Sequence, residues 1–167
     1  VVENGVLLSR QDPKGRRQGE SWLITEKDYT DFILTLKFRV AKGGNSGVFL
    51  RDPVSRADRL AAKDGGAPPW EIGMEVNFQT TPKTEWPTGS VYSIGTPAAH
   101  GLDKPGEWND LKVKVQGERV IVWINGQQSV DATQQRTAKG GIGFQRHGTP
   151  EYKDKLVELK EISVQEL

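Results

Sequence analysis

The chain has 167 residues, a length that suits one domain with its own core. Its 23 Lys and Arg offset 22 Asp and Glu, and a net charge of +1 gives no field that would draw in nucleic acid or an anionic membrane. There is no cysteine, so neither disulfides nor thiolate metal sites hold the fold, and no run of about 18 apolar residues could cross a bilayer as a helix. Nineteen glycines and nine prolines favour many short strands joined by turns. The chain opens at Val1 without Met or a signal pattern and reads as a processed or partly ordered product, from which an upstream signal or lipid anchor could have been removed.

In chain order, strands are expected over residues 5–9, 21–25 and 31–40. The last is the clearest: Phe32, Leu34, Leu36, Phe38 and Val40 alternate with Ile33, Thr35, Lys37 and Arg39, a period of two with one apolar face. Further strands are expected at 46–51, 72–80 and 90–94. Residues 108–131 read as a three-stranded meander, because Leu111, Val113 and Val115 alternate with polar residues and Val120, Val122 and Ile124 resume the pattern. Its turns are Gly117-Glu118 and Asn125-Gly126, the second a strong hairpin signal because both residues tolerate positive φ. Strands at 141–146 and 155–165 follow. In the last, Val157 and Leu159 keep one phase while Ile162 and Val164 keep the other, so a bulge is expected near Lys160-Glu161. Residues 56–63 are the only helical candidate, and 52–70 and 81–89 read as long loops of the functional kind. About eleven strands of this spacing point to an all-β antiparallel sandwich or barrel spanning 1–167, and the alternation and turn chemistry favour the sandwich.

An ordered set of short motifs runs through the chain. It begins with Val2-Glu3-Asn4-Gly5-Val6-Leu7, Leu23-Ile24-Thr25 and Tyr29-Thr30-Asp31-Phe32. Gly43-Gly44-Asn45-Ser46-Gly47-Val48-Phe49-Leu50-Arg51, Gly73-Met74-Glu75-Val76-Asn77 and Thr88-Gly89-Ser90-Val91-Tyr92 come next. Pro105-Gly106-Glu107-Trp108-Asn109, Asn125-Gly126, Gly141-Ile142-Gly143-Phe144-Gln145 and His147-Gly148 complete it, with Glu166-Leu167 at the end. In that order the set resembles the 3-keto-disaccharide hydrolase domain family, along nearly the whole chain. The family's upstream Phe-Asn-Gly strand and Gly-Trp are not found, and the 52–70 loop is longer than usual. An edge strand is therefore expected to be lacking or supplied by a protein partner.

The resemblance implies a concanavalin-like jelly roll of two curved sheets, with a sugar site on the concave one. It also implies a bacterial protein exported to the periplasm or cell surface. The implied substrate is a glycoside already oxidised at C3 by a separate sugar 3-dehydrogenase of the same pathway. A C3 ketone acidifies the C2 proton, one base removes it, the C1 substituent leaves by β-elimination, and hydration completes a net hydrolysis. Such a site needs a base near C2, an electrophile near O3 and an acid near the leaving oxygen.

Glu75 is the first candidate base. Glu75, Asn77 and Gln79 share one strand face while Met74, Val76 and Phe78 take the other, giving three polar side chains in line or, more blandly, a solvated face. His147 follows Gln145 at i+2, and histidine suits acid–base work because its ordinary pKa is near 6.5; its bland role is a loop hydrogen bond. Asn45 and Ser46 lie in an apparent turn, and Arg51 could polarise the C3 carbonyl or form a surface ion pair. Tyr92 could donate a phenolic hydrogen bond or pack in the core. Trp70 and Trp86, in or beside the long loops, suit stacking on a pyranose, whereas Trp22, Trp108 and Trp123 fall in strands and read as structural.

No cofactor is expected: His100 and His147 could join carboxylates around a divalent metal, but no spacing demands it. Glu75 and Glu85 invite a two-carboxylate glycosidase reading, but the strand lacks the E-x-D-x-x-E pattern of jelly-roll glucanases, since Val76-Asn77-Phe78-Gln79 follow Glu75. Two other functions fit the same residues. One is a carbohydrate-binding module without catalysis, because the fold alone does not fix function. The other is a structural subunit of a larger surface assembly, docked through an open sheet edge.

Overall fold

The computed structural model describes residues 1–9, 21–54, 72–148, 150–152 and 156–167. Two antiparallel sheets face one another, and the alternation of the sequence explains why. Strand β4 (Phe32–Val40) buries Phe32, Leu34, Leu36, Phe38 and Val40 and turns Thr35, Lys37 and Arg39 away from them. Around it stand β1 (Val2–Glu3), β2 (Val6–Leu8), β7 (Asn109–Gln116), β8 (Arg119–Ile124), β9 (Gln127–Thr133) and β11 (Val157–Glu166), in the order β1-β2-β11-β4-β7-β8-β9. The second sheet has the order β3-β10-β5-β6, from β3 (Ser21–Ile24), β10 (Gly141–Arg146), β5 (Asn45–Asp52) and β6 (Met74–Gln79).

The core lies between the sheets. Val48 and Leu50 of β5, Met74, Val76 and Phe78 of β6 and Ile142 of β10 meet the buried face of β4, β7 and β8. Phe38 and Phe78 join the two sheets directly, with ring centroids 4.1 Å apart and planes 5° from parallel. Burying such a ring contributes about 2–3 kcal/mol.

The expected meander is present as β7, β8 and β9, with Gly117 (φ 56°) in one turn and Asn125 (φ 51°) and Gly126 (φ 79°) in the other. The expected bulge is present too: the pairing of β11 with β4 shifts between Lys160 and Ser163, and Glu161 has φ 54°. Residues 90–94 are not a regular strand. Val91 makes single bridges to Val76 and Gly95, and the chain turns back there through Ser93 (φ 55°). The helix expected at 56–63 lies outside the described residues, as does most of the 52–70 loop; a 3-10 turn stands at Pro150–Tyr152.

Arg51 departs most from the sequence reading. Opposite β10 the register runs from Gly143↔Phe49 to Gly141↔Asp52, so three steps on β5 match two on β10. This is a bulge, and Arg51 takes φ 53° in it, a left-handed conformation that non-glycine residues seldom adopt. Its side chain is directed to the end of the sandwich, where it is 1% exposed. Nε donates to the Thr30 carbonyl at 2.5 Å, Nη1 to the Gly117 and Thr137 carbonyls at 2.7 and 3.3 Å, and Nη2 to Asp31 Oδ1 at 2.9 Å. Burial pulls its pKa down from the ordinary arginine value, while the Asp31 charge opposes that. Arg51 therefore ties β5 to three loops and is not a sugar ligand. Replacing it with Met removes charge-assisted hydrogen bonds from a buried position and should lower the unfolding free energy by roughly 3 kcal/mol. Urea denaturation checks this, and sugar binding by the chain that remains folded should be unchanged.

Candidate functional site

Because Met74, Val76 and Phe78 face the core, Glu75, Asn77 and Gln79 must face outward from the four-stranded sheet. The registers then arrange that outer face in rows. Glu75 stands opposite Phe49, which stands opposite Gly143, which stands opposite Ile24. In the next row Asn77 stands opposite Gly47, and Gln145 opposite Trp22; the same antiparallel register sets Gln145 beside Gly47. Gln79 and Asn45 pair in the third row, on the side of His147. The centre of this polar field is a glycine, and a depression of about 220 Å³ forms there, lined by Asn45, Glu75, Asn77, Gln79, Tyr92, Gln145 and His147.

Seven of the ten residues predicted from the sequence thus come together. Arg51 does not, for the reason given above. Trp86 does not line the depression but packs on Tyr92, with centroids 5.2 Å apart and a tilt of 51°. Trp70 lies outside the described residues. Ser46 points away from the field, and its Oγ donates to the Gln145 carbonyl at 2.8 Å, clamping β5 to β10 beneath the site.

Residues 88–92 wall one side. They run along β6 and exchange backbone hydrogen bonds with it: Gly89 N to Asn77 O at 2.8 Å, Asn77 N to Ser90 O at 2.9 Å and Tyr92 N to Glu75 O at 2.9 Å. That irregular ladder is what brings Tyr92 to the pocket. Two amides are pre-oriented. Asn77 Nδ2 donates to the Trp86 carbonyl at 2.5 Å and to Gln79 Oε1 at 3.3 Å, and Gln79 Oε1 accepts from Thr84 Oγ1 at 2.9 Å. Asn77 is left with an acceptor and Gln79 with a donor for a ligand.

Glu75 is 6% exposed, Asn77 4% and Gln145 5%, so the polar field is largely withdrawn from water. Asn45 Oδ1 and Gln145 Oε1 are shielded from solvent and accept no hydrogen bond from any described residue. Buried polar atoms are usually hydrogen-bonded, so these two acceptors are open to a ligand or to water. His147 is half-buried, with its ring edge-on to Tyr152 at 4.7 Å. Burial lowers its pKa from the ordinary 6.5, and the Glu151 charge opposes that only partly. At neutral pH the imidazole is therefore uncharged, able to accept a proton. A field of amides, a phenol, a carboxylate and a neutral imidazole around a ring-sized hollow can bind a polyol and move protons on it.

A second, larger groove of about 530 Å³ lies on the outer face of the seven-stranded sheet, between Thr35, Lys37, Asp110, Lys112, Trp123 and Glu161. Its charges pair with one another, Lys37 Nζ standing 2.7 Å from Asp110 Oδ1 and 3.9 Å from Glu161 Oε2, and Lys112 lies over the Trp123 ring at 5.2 Å. Trp108 is likewise held between Arg39 and Lys160, at 4.7 and 4.4 Å. These indoles brace the sheet's outer face by cation–π contact.

Gly47 is the residue the sequence reading undervalued. In Gly43-Gly44-Asn45-Ser46-Gly47 it reads as turn geometry, yet it lies inside β5. The signal that could have found it is positional: on the outward phase of β5 it falls between two polar neighbours in adjacent strands.

Solved structures with this fold include a candidate glycosyl hydrolase from Parabacteroides distasonis ATCC 8503, with TM-score 0.73 and 22% identity over 99% of this chain and 88% of that one. The carbohydrate-binding module CBM66 of Bacillus subtilis superposes with TM-score 0.56 and 12% identity, covering 96% of this chain and 95% of the module. A legume lectin-like domain from Entamoeba histolytica gives 0.64 and 13%, covering 100% and 86%. No curated protein matches the chain. The profile of one family spans residues 1–165, and the chain belongs to that family, the 3-keto-alpha-glucoside-1,2-lyase-like domains.

Proposed function

We propose that this chain cleaves glycosides oxidised at C3, by removing the C2 proton and then hydrating the resulting enone. The observation that carries this reading is the gathering of one carboxylate, Glu75, with Tyr92, neutral His147 and four amides around a single hollow. Family membership supports the chemistry, and the carbohydrate-related names of the structural neighbours agree with it. A lone carboxylate is what elimination needs, whereas a glycosidase of the usual kind needs two facing carboxyl groups. Among the described residues that line the hollow, Glu75 is the sole carboxylate.

In this reading Glu75 takes the C2 proton. The electrons of that C–H bond form the C1=C2 double bond, conjugated with the C3 ketone, and the C1–O bond breaks with its electron pair. The departing oxygen takes the Tyr92 phenolic proton. Water then adds to C1; its proton passes through His147 back to the Tyr92 oxygen, and Glu75, its carboxyl proton exchanged with solvent in the meantime, protonates C2. All groups end as they began, and one water has been consumed. With Arg51 elsewhere, developing charge on O3 is met by neutral donors, from Gln79 and the amides of Asn45 and Gln145. Donors of that kind, fixed in a site withdrawn from water, are worth several kcal/mol in a transition state.

The carbohydrate-binding module at CBM66 keeps a second reading open, because the same hollow would hold a sugar without turning it over. Release of the alcohol from a 3-keto-glucoside separates the two. Glu75→Gln should lower kcat by about a thousandfold while KM changes little, as expected for a lost general base; native-like turnover in that variant would exclude Glu75 as the base.

The pH dependence follows from His147. Its folded pKa lies below the unfolded value of about 6.5, so the unfolded chain binds the proton first. The stability that neutral His147 contributes is complete above about pH 6.5 and is lost as pH falls from there through the folded pKa. NMR titration of the imidazole should give a midpoint under 6.5, and His147→Gln should flatten the fall in unfolding free energy over that window.

A further inference from the structure

Gly47 sits in the middle of the polar field, between Asn77 on β6 and Gln145 on β10. Its backbone does not require glycine. Gly43, four residues earlier, has φ 72° in a turn and open space around it, whereas Gly47 is absent from the positive-φ residues of the chain. What Gly47 lacks is a side chain, and the space is already taken. A Cβ at this position would stand 2.2 Å from Glu75 Oε1, 2.8 Å from Glu75 Cγ and 2.9 Å from Glu75 Cδ. Glu75 belongs to the neighbouring row, opposite Phe49. Its side chain therefore leaves its own row and leans diagonally over the bare Gly47 backbone of β5. Gly143, on the same face, is different: a Cβ there meets Ile24 and Phe49 at 3.4 Å, an ordinary contact.

We propose that Gly47 is a positioning residue for Glu75. By offering no side chain it leaves the space over the β5 backbone in which the carboxylate of an edge strand lies. Any side chain at position 47 takes that space and forces the Glu75 carboxylate out of its place. The kinetic consequence rests on Glu75 being the base; the geometric one does not.

The test compares the native chain with Gly47→Ala, Gly143→Ala, Glu75→Ala and Gly47→Ala/Glu75→Ala. With a 3-keto-glucoside of a chromogenic alcohol, Gly47→Ala should lose about ten- to a hundredfold in kcat, as a base displaced by about 1 Å does, with a displaced pH–rate midpoint. Its KM should stay within about threefold, and Gly143→Ala should stay within about twofold of native. The readout that needs no turnover is the melting temperature. Gly47→Ala should lower it in the native background and leave it unchanged in the Glu75→Ala background, where the methyl has no carboxylate to displace. A Gly47→Ala chain that cannot fold, beside a double variant that can, is the same non-additivity at its extreme. Native kcat and pH profile in Gly47→Ala, or additive melting effects at 47 and 75, would overturn the proposal. A native chain that melts with the predicted coupling but turns over no 3-keto-glucoside would reject the reaction and keep the positioning.

Discussion

The core between the sheets constrains everything on the outside of them. Met74, Val76 and Phe78 have to face Phe38 and its neighbours, because exposing them would forfeit a large part of the apolar burial that holds this domain together. Strand geometry then leaves no choice for the residues between them. Glu75, Asn77 and Gln79 are presented outward as a line by the same contacts that stabilise the fold. A slip of one residue in β6 would bury the carboxylate and expose Phe78, so the position of the site and the stability of the sandwich are one property.

This coupling also explains what could be read from the sequence. Alternation is a local signal, and where a strand stays regular it assigns faces correctly: the outward phases of β6 and β10 place Glu75, Asn77, Gln79, Gln145 and His147 on one surface. The reading fails where the backbone breaks the period. Arg51 falls on the outward phase by count, but the bulge at φ 53° turns it to Asp31 and three carbonyls at the end of the sandwich. Nothing local to Leu50-Arg51-Asp52 announces that bulge, since its cause is the pairing with β10, about ninety residues away in sequence. The bulge in β11 was legible because the apolar residues themselves change phase across it. Tyr92 reaches the pocket although residues 90–94 form no regular strand, because backbone hydrogen bonds hold that segment against β6. Gly47 was hidden by composition, as its glycine-rich neighbours suggest a turn.

The one guanidinium considered for the site is engaged elsewhere, burial lowers the pKa of the imidazole, and Glu75 is the sole carboxylate among the described residues lining the hollow. Proton abstraction next to a ketone suits such a place. Fixed amide and phenol dipoles answer an enolate without reorganising. The solved neighbours at 22% and 13% identity share the sandwich alone, and a fold does not by itself fix function.

The central claim is that this hollow takes the proton from C2 of a 3-keto sugar. Turnover of a 3-keto-glucoside by the native chain in D2O, followed by proton and deuterium NMR, addresses it directly. The account predicts deuterium at C2 of the released 3-keto sugar, because the carbon is reprotonated from a group that exchanges with solvent. Release of the alcohol with the original hydrogen retained at C2 would contradict it, and would point instead to direct displacement at C1.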